Sequence, residues 1–118
     1  MIYALVGHLV GDYLLQNDWM ALNKKTAETD TACGVHCTIW TASVCLFAGW
    51  DNYYAILFLM ITHMIQDRTN IVRWWMSLVG QDKFATGPCA PWSIIVVDNV
   101  WHILAIWFVD RMYLIGVF

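Results

Sequence analysis

Four long apolar segments, separated by short polar stretches, constrain the fold of this chain more than any other feature. They run over about residues 1–19, 33–50, 53–79 and 92–115. A helix needs roughly 20 apolar residues to cross the hydrocarbon core of a bilayer, where it satisfies its own backbone hydrogen bonds. The segments therefore predict an all-α fold: a polytopic transmembrane four-helix bundle, with residues 1–118 in a single domain.

The composition agrees with a membrane protein and gives no reason to expect a nucleic-acid partner. The 118 residues are 60% hydrophobic and 13% charged, whereas soluble domains are about one quarter charged. The net charge is −3 and there is no basic run. The first segment lacks a basic leader, so we expect a retained helix and not a signal peptide. The expected partner is the lipid bilayer, and so small a chain could also form a homo-oligomer.

The basic residues predict an orientation in the membrane. With four crossings, the polar loops around residues 23–31 and 80–91 lie on one side, and both termini lie on the other. The two loops contain Lys24, Lys25 and Lys83. Because cytoplasmic loops are enriched in Lys and Arg, we expect both polar loops in the cytoplasm and both termini outside.

Three of the four histidines lie four residues from an aspartate, inside segments that are otherwise apolar. In chain order the pairs are His8 with Asp12, His63 with Asp67, and Asp98 with His102. A spacing of four places both side chains on one face of a helix, one turn apart. Ionisable groups in apolar surroundings are costly, so they need partners, a metal ion or a water-filled cavity.

The order within each pair predicts that the pairs share one site. The first and third segments run toward the cytoplasm and have histidine before aspartate, whereas the fourth runs the opposite way and has the reverse order. All three aspartates are therefore expected on the cytoplasmic side of their histidines. His36 enters from the same side, nearest the aspartates, and Gln16 extends the first pair by one turn.

Metal binding is the chemistry that this pattern favours. The expected ligands are His8, Asp12, His36, His63, Asp67, Asp98 and His102, with Gln16 and Asn99 as supporting residues. Imidazole and carboxylate together suit a divalent ion, with zinc as the first choice and iron or manganese as the others. A metal with an open position could activate water for the hydrolysis of a lipid or lipid-phosphate ester at the cytoplasmic interface. The pattern does not identify a catalytic residue.

Three other interpretations remain open. The same residues could carry protons or metal ions in a channel or transporter, or they could be helix-packing pairs of a structural membrane protein. Haem between two histidines ranks last, because it leaves three aspartates unexplained.

The four cysteines are interpreted as packing residues, because cysteines in apolar helices more often pack than bind metal. They are Cys33, Cys37, Cys45 and Cys89.

The motifs also resemble a known family. The stretch G-H-L-V-G-D-Y-L-L-Q-N-D-W-M (residues 7–20) resembles the H-x-x-x-D-x-x-x-Q-x-D-W-M opening of a small membrane-protein family of unknown function, number 3307. His36, His63-x-x-x-Asp67 and Asp98-Asn99-x-x-His102 are similar to the family's later motifs. The family occurs in bacteria and phages, which implies a bacterial inner-membrane protein.

The chain departs from the family's pattern at two places. Ala32 and Trp40 stand one turn on either side of His36, where the family often has a second histidine. Asn99 stands where a glutamine is common. A broader similarity to membrane-bound metal-dependent hydrolases is an analogy that favours an enzyme.

Overall fold

The computed structural model describes residues 1–25 and 31–118, and within these ranges the chain is helical with no strand. The prediction of an all-α fold is confirmed. Residues 26–30, which belong to the first polar loop, lie outside the described residues. The helices are α1 (Ile2–Leu9, continued by a π-helical turn over Val10–Leu14), α2 (Asp18–Asn23), α3 (Thr31–Ala48), α4 (Tyr53–Arg68), α5 (Ile71–Leu78), α6 (Asp82–Thr86) and α7 (Trp92–Leu114).

The four longest helical stretches, α1 with its π turn, α3, α4 and α7, run alternately up and down. At one end the backbone nitrogen of Met1 lies 2.6 Å from Asp110 Oδ1, and the Asn52 backbone N–H donates to the Tyr113 hydroxyl at 2.9 Å. The start of α1, the α3–α4 turn and the end of α7 therefore lie together. At the other end Lys25 Nζ donates to the Thr69 carbonyl at 3.3 Å, which joins the region after α2 to the end of α4.

Two glycines bring α1 and α3 into close contact. A Cβ atom on Gly7 would lie 2.6 Å from the Ser43 carbonyl oxygen, and one on Gly11 would lie 2.9 Å from Trp40 Cα. The spacing is that of the G-x-x-x-G motif, in which small residues let two helix backbones approach. This contact places His8, the residue after Gly7, against Trp40 on α3.

The first and third predicted segments are interrupted in the structure. The expected helix over 53–79 is two helices, because Thr69 is extended and its hydroxyl donates to the Ile65 carbonyl at 2.6 Å. The expected helix over 1–19 leaves the helical path after Leu14, and the Asn17 side chain caps α2 by accepting from the Met20 N–H at 3.0 Å. In both places polar side chains satisfy backbone groups and compete with helix continuation.

Two of the described helices are long and apolar enough to cross a membrane: Thr31–Ala48 and Trp92–Leu114. The helical stretch Ile2–Leu14 is shorter, and α4 has 16 residues. Much of the apolar surface of the long helices is uncovered, since Leu46 on α3 is 80% exposed and Leu104 and Trp107 on α7 are about half exposed. A surface this apolar is unusual for a soluble monomer.

The buried core lies mainly toward the end that holds Met1 and Tyr113. Ala4, Trp40, Val44, Leu59 and Ile106 pack there in one fully buried cluster. A second, smaller cluster joins α5, α6 and α7. The histidines and aspartates singled out in the sequence lie between these two apolar clusters.

Candidate metal centre

Four side chains from three helical segments converge at one point: Asp12 from the π turn, His36 from α3, and His63 and Asp67 from α4. The Nε2 atoms of His36 and His63 are 3.1 Å apart. Both face Asp67 Oδ2, at 3.0 Å from His36 and 3.1 Å from His63. Asp12 Oδ1 lies 3.3 Å from His36 Nε2 and 3.9 Å from His63 Nε2. Both histidines and Asp67 are buried, whereas the side chain of Asp12 is 13% exposed.

The distances of the two carboxylates from the two imidazoles match those of a small metal site. Zinc bonds of about 2.0–2.1 Å in a tetrahedron correspond to ligand–ligand distances of about 3.3 Å. The five distances above range from 3.0 to 3.9 Å. The residues therefore fit a divalent ion in both donor chemistry and separation.

The protein alone does not satisfy this cluster. The Nδ1 atoms of His36 and His63 are buried and have no hydrogen-bond partner among the described residues. If a ring carries its proton on Nδ1, that proton has no hydrogen-bond acceptor. If both rings carry their protons on Nε2, two donors face each other at 3.1 Å. A cation between the Nε2 atoms and the carboxylates would use all four lone pairs at once.

Lys24 supplies positive charge at the edge of the cluster. Its Nζ lies 3.0 Å from Asp67 Oδ2 and donates to Gln16 Oε1 at 3.1 Å. Gln16, expected as a supporting residue, accepts this hydrogen bond and so helps to position Lys24.

Two cysteines also lie near the cluster. The Cys37 sulfur lies within 4.8 Å of candidate ligand atoms of His63 and Asp67. The Cys33 and Cys37 sulfurs are 3.8 Å apart and both thiols are free.

His8, expected as a ligand, has both ring nitrogens in contact with protein groups. The Trp40 indole N–H donates to His8 Nδ1 at 2.9 Å, and His8 Nε2 lies 2.9 Å from Asn99 Oδ1. Because an indole can only donate, Nδ1 accepts and Nε2 carries the proton. His8 Nδ1 is also 3.2 Å from Asp12 Oδ2. The structure therefore places His8 beside Asp12, with both of its ring nitrogens already in contact with protein groups.

Asn99, expected as a supporting residue, contacts His8 through its amide oxygen. Its amide nitrogen donates to the Tyr13 hydroxyl at 2.6 Å and to the Ile95 carbonyl at 2.8 Å. The amide oxygen is thereby directed at His8. The hydrogen bonds from Trp40 to His8 and from His8 to Asn99 require one tautomer of His8, with its proton on Nε2.

Trp40 occupies the centre of the histidines and was not recognised from the sequence as a site residue. Its ring is fully buried, with its centroid 4.1 Å from that of His63, 5.4 Å from His102 and 5.8 Å from His8. The signal was available, because Trp40 lies one turn after His36 on the same face of α3. Within the expected shared site, the indole lies between the ring of His8 and that of His63.

Asp98 and His102 stand on the far side of Asp67. Their closest atoms, His102 Nδ1 and Asp98 Oδ2, are 3.9 Å apart, which is too long for a hydrogen bond. One ligand atom each from Asp67, Asp98 and His102 can lie within 4.8 Å of the others. The expected ligands thus come together, but as two adjoining groups that share Asp67.

The cluster opens toward the end of the bundle that holds Lys24. A cavity of about 230 Å³ is lined by Asp12, Lys24, Asp98 and Asn99, among others. A second cavity of about 160 Å³ has Lys24, Lys25 and Arg73 with Asp67 and Asp98 in its wall. Each cavity borders both a carboxylate of the cluster and a basic side chain.

These features define an all-helical protein with a buried His/Asp cluster that could hold a metal ion and that opens to one end. The chain belongs to a family described as protein of unknown function (DUF3307), whose model matches residues 1–116. This confirms the resemblance seen in the motifs. No curated protein and no solved structure matches the chain.

Proposed function

We propose that this chain is an integral membrane enzyme that uses a divalent metal ion, with zinc as the first candidate, to hydrolyse a phosphate ester of a lipid. The observation that carries the proposal is the approach of Asp12 and Asp67 to the Nε2 atoms of His36 and His63, at 3.0 to 3.9 Å. The basic cavity beside it supports an anionic substrate.

The exposed apolar surfaces of α3 and α7 support a place in the bilayer. We propose that α1 and α4 also cross it, with the bundle short enough to thin the lipid locally. Lys24, Lys25 and Arg73 lie at the end where the cluster opens. The positive-inside rule favours this end in the cytoplasm and both termini outside, and we propose the inner membrane of a bacterium as the location.

The side chains around the cluster have separate tasks in this proposal. A bound divalent ion would polarise a phosphoryl oxygen and make a water molecule more acidic. Lys24, Lys25 and Arg73 line one cavity and would bind and orient the phosphate. Trp40 closes the cluster on the side of the apolar core and so limits the access of bulk water.

The shape of the site favours an enzyme over a transporter within one protomer. Beyond Trp40 the bundle is filled by Val44, Leu59 and Ile106, all fully buried. A polar path would have to continue through these residues to reach the opposite end.

The test is phosphate release from a lipid phosphate monoester presented in vesicles to the purified protein. We expect activity that a chelator abolishes and that added zinc or manganese restores. His36→Ala should lose both activity and bound metal, whereas Asp51→Asn, which removes an exposed carboxylate at the opposite end, should keep both. Metal retained without activity on phosphate mono- and diesters would contradict the hydrolase, and flux of zinc or protons into liposomes would establish transport instead.

A further inference from the structure

We propose that Asp67, Asp98 and His102 form a second metal site, so that the cluster holds two ions joined by Asp67. The inference rests on the proposed function, because it completes the same centre. It gives roles to two residues, Asp98 and His102, that the first four-residue site does not use.

His102 is the observation that points to a ligand. Its imidazole is 2% exposed, and neither Nδ1 nor Nε2 has a hydrogen-bond partner among the described residues. Leaving a buried polar group unpaired costs about 1–3 kcal/mol. The surrounding rings of His63 and Trp40, with centroids at 4.4 and 5.4 Å, do not supply an acceptor or donor to it. A metal ion is a partner that this ring can bind through a lone pair.

Asp67 lies in both groups of ligands. One of its oxygens, Oδ2, faces His36 and His63, and a carboxylate has two oxygens to share between two ions. One ligand atom each from Asp67, Asp98 and His102 lies within 4.8 Å of the others. Metal bonds of about 2.0–2.2 Å in a tetrahedron put ligand atoms about 3.4 Å apart, so the 3.9 Å between His102 Nδ1 and Asp98 Oδ2 must shorten by about 0.5 Å. Asp98 is free to make this movement, because its side chain is 25% exposed at the rim.

The local charge and space also suit a second ion. Asp12, Asp67 and Asp98 bring three carboxylates together, and Lys24 places one ammonium group 3.0 Å from Asp67 Oδ2. Asp98 lines both cavities, so a second ion would border open space. The second site would have two carboxylates and one imidazole, whereas the first has two of each. The larger share of oxygen ligands favours manganese or magnesium over zinc at the second site.

Two ions narrow the class of substrate. Paired divalent ions about 3.5–4 Å apart are suited to the attacking and leaving oxygens of a phosphate ester. Lys24, Lys25 and Arg73 beside Asp98 would bind the remaining phosphate oxygens. The inferred substrate is therefore a phosphate ester with its phosphate at the membrane surface, not a carboxylic ester of a neutral lipid.

The experiment is equilibrium binding of Mn²⁺ to the purified full chain, with metal content measured after dialysis and the spin coupling of bound manganese measured by electron paramagnetic resonance. We expect about two ions per chain with a coupled spectrum. Asp98→Asn and His102→Gln should each reduce this to about one uncoupled ion. Asp51→Asn is the matched control for the first change and should keep the coupled pair.

The outcomes separate the two claims. One uncoupled ion in the wild type, unaffected by Asp98→Asn, overturns the second site and leaves the proposed function standing. No bound ion overturns both. If His102→Gln does not fold, Asp98→Asn decides alone, because Asp98 is partly exposed and its replacement has the same shape.

Discussion

A single indole sets the arrangement of the polar groups in this bundle. Trp40 donates to His8 Nδ1 at 2.9 Å, and its ring packs against His63 and His102. Because the indole fixes the proton of His8 on Nε2, it also fixes the hydrogen bond from His8 to Asn99. His8 Nδ1 then lies 3.2 Å from Asp12 Oδ2, while His36 approaches the other oxygen of Asp12 at 3.3 Å.

Replacing Trp40 tests this role. Trp40→Phe keeps a ring but removes the N–H donor, so His8 Nδ1 loses its partner in a buried place. We expect unfolding in detergent to be easier by about 1–3 kcal/mol, with metal still bound because no ligand is lost. Trp107→Phe, at a half-exposed position on α7, is the control and should change stability little. Loss of the metal in Trp40→Phe with unchanged stability would show that the indole acts on the ligands and not on His8.

At the scale of elements, the contact of α1 with α3 holds the centre together. Gly7 and Gly11 allow the two backbones to touch, and this contact brings Asp12 to His36. The third helical partner, α4, carries His63 and Asp67 and is capped at its start by Asn52, which accepts from two backbone N–H groups. A site built from three helices depends on these contacts more than on any one helix.

Adding a methyl group to Gly7 tests the contact. In Gly7→Ala the new Cβ would lie 2.6 Å from the Ser43 carbonyl oxygen, so α1 must move away from α3. We expect a loss of about 1–3 kcal/mol of stability and weaker metal binding, because Asp12 moves with α1. Gly34→Ala is the matched control, since nothing lies within 4 Å of its added Cβ. Equal behaviour of the two variants in thermal unfolding and metal titration would contradict the close-contact account.

The helices and the ligands differ in how far the sequence determines them. Apolar segments are enough to predict the long helices, and the spacing of four is enough to place Asp67 with His63 on α4. The break at Thr69 depends on a local side-chain hydrogen bond, which periodicity does not report. The positions of Trp40 and Lys24 against His8 and Asp67 depend on how helices rotate against each other. That rotation follows from packing at Gly7 and Gly11, a motif that sequence reasoning left unused.

At the scale of the whole molecule, the bundle has two unlike ends. The end with the cavities contains Lys24, Lys25 and Arg73, whereas the opposite end contains Asp51 and the pair formed by Met1 and Asp110. Between them, much of the lateral surface of α3 and α7 is apolar. This polarity along the bundle is what a membrane protein needs to take one orientation and to place its site at one surface.

The cysteines make the orientation measurable. Cys89 is exposed near the start of α7, whereas Cys33, Cys37 and Cys45 are buried. A membrane-impermeant maleimide should therefore label Cys89 in inverted inner-membrane vesicles and not in intact spheroplasts. In a Cys89→Ser background, Asp51→Cys at the opposite end should show the reverse. Labelling of Cys89 in intact spheroplasts would place the cavities outside and contradict the positive-inside assignment.

X-ray absorption at the zinc edge, on protein purified and loaded with one equivalent of zinc, tests the metal centre most directly. We expect imidazole nitrogen and carboxylate oxygen scatterers at about 2.0–2.1 Å, with the imidazole signal reduced in His36→Ala and His63→Ala and unchanged in His8→Ala. Sulfur scatterers at about 2.3 Å that disappear in Cys33→Ser or Cys37→Ser would place the metal on the thiols. That result, or a zinc spectrum insensitive to His36 and His63, would contradict the centre described for Asp12, His36, His63 and Asp67.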